Sequence, residues 1–200
     1  TLDPGLAQDS SSIEVIEQLF LGLTDYDPKT YEVIPELATK WSASADSRVY
    51  TFEIRKDVFW SNGVPVTAHD VEYAIRRNID PETASPYAYV LYILEGAEAL
   101  NKGESKDFNG LGVRAVDDYT VEFRLTQPAG FFPAMAGLWT YRPLPRSAIE
   151  AFGTSWTEPE HILTNGSYRL ATWEKGNQLI LKRNPDYKDS ITQQPAQIEE

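Results

Sequence analysis

The chain has 200 residues, 42% of them apolar and 24% charged, which suits a water-soluble globular protein of one or two domains. A net charge of −12 gives a surface that repels phosphate backbones and anionic lipid, and so argues against nucleic-acid and membrane-surface partners. The absence of cysteine excludes disulfide scaffolds, thiolate metal sites and cysteine catalysis, and no apolar run reaches the roughly 18 residues that span a bilayer.

Taken along the chain, Ser10 to Leu21 reads as a helix, with Ser11 and Glu14 as a capping box, Ile13, Ile16, Phe20 and Leu21 largely on one face, and Gly22 as its end. Tyr26-Asp27-Pro28-Lys29-Thr30 is turn chemistry. Val49 to Arg55 alternates cleanly, placing Tyr50, Phe52 and Ile54 on the inner face of a half-buried strand. Asn62-Gly63 is a turn, after which Thr67 and Asp70 open a helix that carries Val71, Ala74 and Ile75 inward. A second helix is expected from about Tyr89 to Asn101, closed by Gly103.

Val113 to Val116 and Tyr119 to Leu125 flank Asp117-Asp118 as a hairpin with Val121, Phe123 and Leu125 buried. Short helices are expected over Pro128 to Gly137 and over Pro145 to Phe152, the latter ended by Gly153. Ser167 to Trp173 and Gln178 to Arg183 flank Lys175-Gly176-Asn177 as a second hairpin, and Asn184-Pro185-Asp186-Tyr187 then leaves the sheet. The last dozen residues are polar, with no obvious packing partner. The sum is a mixed α/β chain of antiparallel hairpins and short helices, without internal repeats and without the βαβ rhythm of a nucleotide-binding fold.

Catalytic signals are weak. His69 lies in the first turn of a helix, on its solvated face; His161, beside Glu158 and Glu160, has no second histidine nearby and reads as part of a solvated acidic loop. There is no Gly-x-Ser-x-Gly elbow and no phosphate-cradling glycine loop, and Asp117-Asp118 is a turn, not an acid pair. Neither a cofactor nor a metal is expected, and the chain does not read as an enzyme.

The longest distinctive stretch runs from Glu36 to Arg77. It contains Glu36-Leu37-Ala38-Thr39-Lys40-Trp41, then Val49-Tyr50-Thr51-Phe52-Glu53-Ile54-Arg55-Lys56-Asp57, then Trp60-Ser61-Asn62-Gly63 and Val64-Pro65-Val66-Thr67-Ala68-His69-Asp70. Each part has a structural role. Ala38 and Trp41 pack beneath the strand, Arg55 and Asp57 pair across its end, and Trp60 and Gly63 form the corner into the helix. This stretch resembles the signature of the family 5 extracellular solute-binding proteins, the dipeptide-, oligopeptide- and nickel-binding receptors of ABC importers. Thr1-Leu2-Asp3-Pro4 and Gln18-Leu19-Phe20-Leu21-Gly22-Leu23 resemble the family's opening, although the family usually has an acidic residue where Leu21 stands. Ala84-Ser85-Pro86-Tyr87-Ala88-Tyr89, Thr164-Asn165-Gly166-Ser167-Tyr168 and Leu179-Ile180-Leu181-Lys182-Arg183-Asn184-Pro185-Asp186-Tyr187 are similar to the oligopeptide-binding branch.

The resemblance implies a type II periplasmic-binding-protein-like lobe, part of a bilobed receptor that closes on its ligand by a hinge. It implies a fragment of the first lobe, with residues 1–34 and 154–200 in a discontinuous ligand-facing part and 35–153 in an extra subdomain. The chain stops at Gln197-Ile198-Glu199-Glu200, where a further strand is due. The implied partners are a peptide ligand and the permease's transmembrane subunits, in the periplasm or outside the cell, with a lipid anchor before Thr1 as one arrangement. An unpaired sheet edge left by truncation would favour an edge-to-edge dimer.

For ligand contacts the resemblance points to Gln8, Asp9 and Ser10, which otherwise read as a polar loop with Ser10 as helix cap. It points also to Tyr87 and Tyr89, and to the segment Leu138-Trp139-Thr140-Tyr141, where ordinary packing is the competing reading. Asn165 and Gly166 would offer a backbone amide to the ligand, or simply turn the chain before a strand. Rival functions are the same receptor class with an oligosaccharide or a nickel chelate, and a stand-alone carbohydrate- or protein-interaction module using exposed aromatics.

Overall fold

The computed structural model describes residues 1–187 and the backbone of 197–199. Helix α1 spans Ser10–Leu19 and turns Val15, Ile16 and Leu19 inward. Its cap is Asp9, not the expected Ser11–Glu14 box: Asp9 has extended backbone, and its Oδ1 accepts the Ser12 amide at 2.8 Å. The helix stops two residues short of the expected Leu21. Asn165 Oδ1 accepts the Leu21 amide at 3.0 Å and Arg142 Nη1 donates to the Phe20 carbonyl, so tertiary partners take over from the helix ladder and Phe20 goes extended.

Strands β1 (Thr24–Tyr26) and β2 (Val33–Pro35) form a small antiparallel pair. Asp27 Oδ1 closes the connecting turn by accepting the amides of Lys29 at 2.8 Å and Thr30 at 2.9 Å. Next come β3 (Ala38–Ala43) and β4 (Val49–Ile54). The segment of Ala38 and Trp41 therefore does not lie beneath the strand as expected. It is itself a strand at the sheet edge, with Trp41 opposite Phe52 and their rings 6.0 Å apart.

With β5 (Val113–Asp117) and β6 (Thr120–Arg124), these strands make an antiparallel sheet ordered β3-β4-β6-β5. Tyr50, Phe52, Ile54, Val121 and Phe123 are buried on its inner face, where α2 (Ala68–Ile79) contributes Val71, Ala74, Ile75 and Ile79. The capping box at Thr67 and Asp70 forms as expected, the Thr67 amide donating to Asp70 Oδ2 at 2.8 Å. Arg55 and Asp57 pair at 3.0 Å, and Trp60 and Gly63 form the predicted corner, Gly63 with φ +84°.

The long helix expected after Tyr89 is broken. A 3-10 turn over Ala88–Ile93 is followed by Leu94, which bridges Leu125 in strand fashion, and only Ala97–Asn101 is α-helical, as α3. The Glu95 amide bonds the Arg124 carbonyl at 3.0 Å, while Gly96 takes φ +70° and lies so close to Gly110 that a Cβ would sit 2.6 Å from its carbonyl oxygen. Sheet pairing thus overrides local helix preference. Helix α4 is only Phe132–Met135, shorter than the 128–137 expected. It drives Phe132 into the core, 5.2 Å from the rings of both Tyr50 and Phe123.

Helix α5 (Arg146–Phe152) ends at Gly153, φ +53°, as the sequence indicates. Strands β7 (Tyr168–Glu174) and β8 (Gln178–Arg183) form the second hairpin, and β9 (Gln197–Glu199) adds antiparallel to β8 with Ile198 opposite Leu181. Part of the tail expected to lack a packing partner is thus a strand; the rest lies outside the described residues. Asp3 ties distant parts together: Arg77 Nη2 pairs with its Oδ2 at 2.6 Å, and Trp156 Nε1 donates to the same oxygen at 3.0 Å.

Candidate functional site

Ala84 to Tyr89 is held in an uncommon conformation. Ala84 has φ +52°, a left-handed value that strains a residue with a Cβ, and it turns Tyr87 and Tyr89 toward the 3-10 turn Trp139–Tyr141. The Tyr87 ring stands edge-on to Trp139 at 5.1 Å and lies 5.7 Å from Tyr89. Tyr89, 59% exposed, is the outer member of this platform. Tyr141 is not part of it. Its side chain is fully buried against Phe123 and Phe132, and burial raises its phenol pKa above the ordinary range, so it is a core residue.

A second group of polar side chains grips the strap from Phe20 to Gly22. Arg142 and Asn165 hold the two ends of one peptide unit, Phe20 C=O and Leu21 N–H, and Glu36 Oε2 accepts the Gly22 amide at 2.5 Å. The strap is close-packed: a Cβ on Gly22 would lie 2.8 Å from the Thr24 carbonyl oxygen. Burial pushes the Glu36 carboxyl up to about 8 despite the opposing pull of Arg142, with Asp25 and Glu17 pushing the same way. Glu36 is therefore mainly protonated at pH 7.

The amides of Asn165 and Gly166 both donate to the Leu19 carbonyl, at 3.2 and 2.8 Å, so neither is open to a ligand. What Asn165 does offer is its side chain: Nδ2 is buried and has no hydrogen-bond partner among the described residues. The same holds for Trp139 Nε1, Arg142 Nε, Thr140 Oγ1 and Ser85 Oγ. Buried polar groups without partners are costly and uncommon, and six of them, Thr164 Oγ1 included, fall in or beside segments that the sequence nominates. Gln8, Asp9 and Ser10 are exposed; the Asp9 carboxylate is occupied as the α1 cap, which holds its pKa below the usual range.

Sequence reasoning passed over Glu36 as a functional group, and over Arg142 and Ser85. Arg142 carries a readable signal, a lone cation inside the apolar run Leu138 to Leu144. The histidines are placed elsewhere: His69 Nε2 lies 3.3 Å from Asp118 Oδ1 at the surface, and His161 stacks on Phe152 at 3.8 Å. No cluster of three metal-ligating side chains occurs among the described residues. A cavity of about 870 Å³ lies on the outer side of α2, lined by Asp3, Tyr73, Arg76, Arg77, Phe108 and Trp156. Of its charged walls, Asp3 pairs with Arg77 and Arg76 with Glu72, while Asp80 and Glu82 also line it.

The lobe thus sets an aromatic cluster of Tyr87, Tyr89 and Trp139 on antiparallel-sheet scaffolding. Residues 32–200 match the model for bacterial extracellular solute-binding proteins, family 5, and the chain belongs to that family. It is 38% identical over 189 residues to the periplasmic oligopeptide-binding protein OppA of Escherichia coli (strain K12), covering 94% of this chain and 34% of that protein. The solved structure of Burkholderia pseudomallei OppA superposes with a TM-score of 0.94 at 31% identity, over 100% of this chain and 39% of the other. That of Haemophilus influenzae OppA in complex with RPPGFSPFR gives 0.89 at 36% identity, over 94% of this chain and 36% of the other. The chain thus spans about a third of the length of the curated relatives it matches, and its fold is that of part of a solute-binding protein.

Proposed function

We propose that the full-length protein is the substrate-binding component of an ABC transporter. It captures peptides outside the cytoplasmic membrane, in the periplasm or at the cell exterior, and delivers them to the membrane-spanning permease subunits. It acts as a receptor and not as an enzyme. The observation that carries this reading is the juxtaposition of Tyr87, Tyr89 and Trp139 with buried donors that lack acceptors. Aromatic faces suit side chains of varied shape, while N–H groups suit main-chain carbonyl oxygens, the repeating feature of every peptide. Family membership and the Haemophilus influenzae neighbour, solved in complex with RPPGFSPFR, support the same ligand class.

The division into subdomains belongs to this reading. Residues 35–153 would form the extra subdomain, a division supported by the β3-β4-β6-β5 sheet and α2 falling inside that range. Residues 1–34 and 154–200 would form the ligand-facing part, carrying α1 and the β7-β8-β9 sheet. Tyr87, Trp139 and Arg142 then come from one part, the Phe20–Gly22 strap and Asn165 from the other, and the site lies along their junction. Isothermal titration of the full-length protein with tri- to pentapeptides tests the function. Saturable binding at about micromolar Kd or tighter is expected. Heat from an oligosaccharide or a nickel chelate, with none from any peptide, would sink it.

A further inference from the structure

The cavity of about 870 Å³ on the outer side of α2 lies apart from the aromatic cluster: none of Tyr87, Tyr89 and Trp139 lines it. The N-terminal stretch and Trp156–Thr157 form one wall, while α2, the turn after it and Phe108 form the other. It therefore opens where residues 1–34 and 154–200 meet residues 35–153. Its size and its place at a junction between parts of the chain are those of small-molecule sites.

The two arginines in its walls are already engaged. Arg77 donates through Nη1 and Nη2 to Asp3 at 2.9 and 2.6 Å, and Arg76 Nε donates to Glu72 at 2.8 Å. The other two charged side chains, Asp80 and Glu82, form no ion pair among the described residues, and Asp80 Oδ1 accepts the Glu82 amide at 2.9 Å. The unmet side-chain charge of the cavity is thus negative. Thr157 is an independent sign of a ligand. It lines the cavity, is only 5% exposed, and its hydroxyl makes no hydrogen bond to a described residue. A buried hydroxyl without a partner is costly, and the cavity is where a partner can reach this one. Tyr73, Phe108 and Trp156 supply flat apolar wall for the body of a ligand.

We propose that this cavity is a second binding site, apart from the peptide site, for a small aromatic amine. Its ammonium group lies against Asp80 and Glu82, its ring lies among Tyr73, Phe108 and Trp156, and Thr157 hydrogen-bonds a polar atom of the ring system. A cation answers the unpaired carboxylates, whereas an anion would meet only arginines already spent on other acids. The proposal stands independently of what the peptide site carries.

The test is isothermal titration of the full-length protein with three probes that share an indole ring. Tryptamine is a cation, tryptophol is neutral and indole-3-propionate is an anion. Tryptamine is expected to bind saturably and roughly tenfold or more tighter than tryptophol, with indole-3-propionate weakest. Excess Ala-Ala-Ala should leave tryptamine binding in place. The double variant Asp80→Asn, Glu82→Gln keeps an oxygen for the Glu82 amide and should bring tryptamine down to the affinity of tryptophol. Thr157→Val, close in shape, should weaken tryptamine roughly threefold or more.

No saturable tryptamine binding overturns the proposal, as when the rest of the full-length chain fills the cavity. Equal affinity for the three probes overturns it, and so does full tryptamine affinity retained in the double variant or in Thr157→Val. Loss of tryptamine binding in excess Ala-Ala-Ala also overturns it, since the amine then sits in the peptide site. Should a variant not fold, a crystal structure of the native protein with tryptamine decides: an ammonium group within hydrogen-bond distance of Asp80 or Glu82 supports the proposal, and one seated elsewhere refutes it.

Discussion

Replacing Glu36 by glutamine should remove a specific part of the pH dependence of folding. The folded protein holds this carboxyl at about 8, against an ordinary value of 4.5 in the unfolded chain. The raised value means that the folded state keeps a proton the unfolded state has lost. Stability from this group is therefore fully present below about pH 4.5, falls as the unfolded chain ionises, and levels off above about pH 8. Each tenfold in proton affinity is worth about 1.4 kcal/mol, so moving from 4.5 to about 8 caps the loss at roughly 5 kcal/mol.

Glu36 is only partly buried by surface area, so solvent screening reduces the expected loss to about 2–3 kcal/mol. The glutamine of Glu36→Gln would keep an oxygen for the Gly22 amide but cannot ionise. Urea unfolding followed by tryptophan fluorescence, at unit steps from pH 5 to pH 9, gives the two stability curves. They should converge near pH 5 and separate toward pH 9, with the variant the more stable. Parallel curves across that range would refute the buried, proton-holding environment assigned to Glu36.

Three further outcomes are expected. Asp3→Ala strands Arg77 without its carboxylate and Trp156 Nε1 without its acceptor, and should cost about 3–5 kcal/mol in urea unfolding; a loss below about 1 kcal/mol would show the pair to be dispensable. Gly166→Ala places a methyl 2.5 Å from the Gln18 carbonyl oxygen and 2.6 Å from the Leu19 carbonyl carbon, both backbone atoms, and should destabilise by about 1–3 kcal/mol or more. A neutral effect there would mean that α1 and the Asn165 loop can part without cost. Tyr89→Ala should leave stability within about 0.5 kcal/mol, because the ring is 59% exposed, yet weaken peptide binding by titration calorimetry; unchanged affinity would remove Tyr89 from the site.

Some of the molecule was legible in the residues and some was not, and the division follows the range of the forces. The Thr67–Asp70 cap, the corner at Gly63, the Gly153 stop and both long hairpins rest on interactions within a few residues, and all appear where the pattern puts them. The helix after Tyr89 fails because Leu94 and Glu95 pair with Leu125 and Arg124, some thirty residues away. Tyr87, Tyr89 and Trp139 were each nominated, but only the fold brings Trp139 across to Tyr87 and sends its neighbour Tyr141 into the core.

The sequence by itself determined the class of the fold and most local turns, because alternation, caps and glycines act through near neighbours, and its motifs carry the resemblance to the family. Only the tertiary structure decided that Arg142 and Asn165 close on one peptide unit at Phe20–Leu21, and that Glu36 lies where its carboxyl is raised toward the protonated form. Charge and hydrogen-bonding capacity are written in the residue types. Whether a partner meets them depends on which distant segments the packed core brings together.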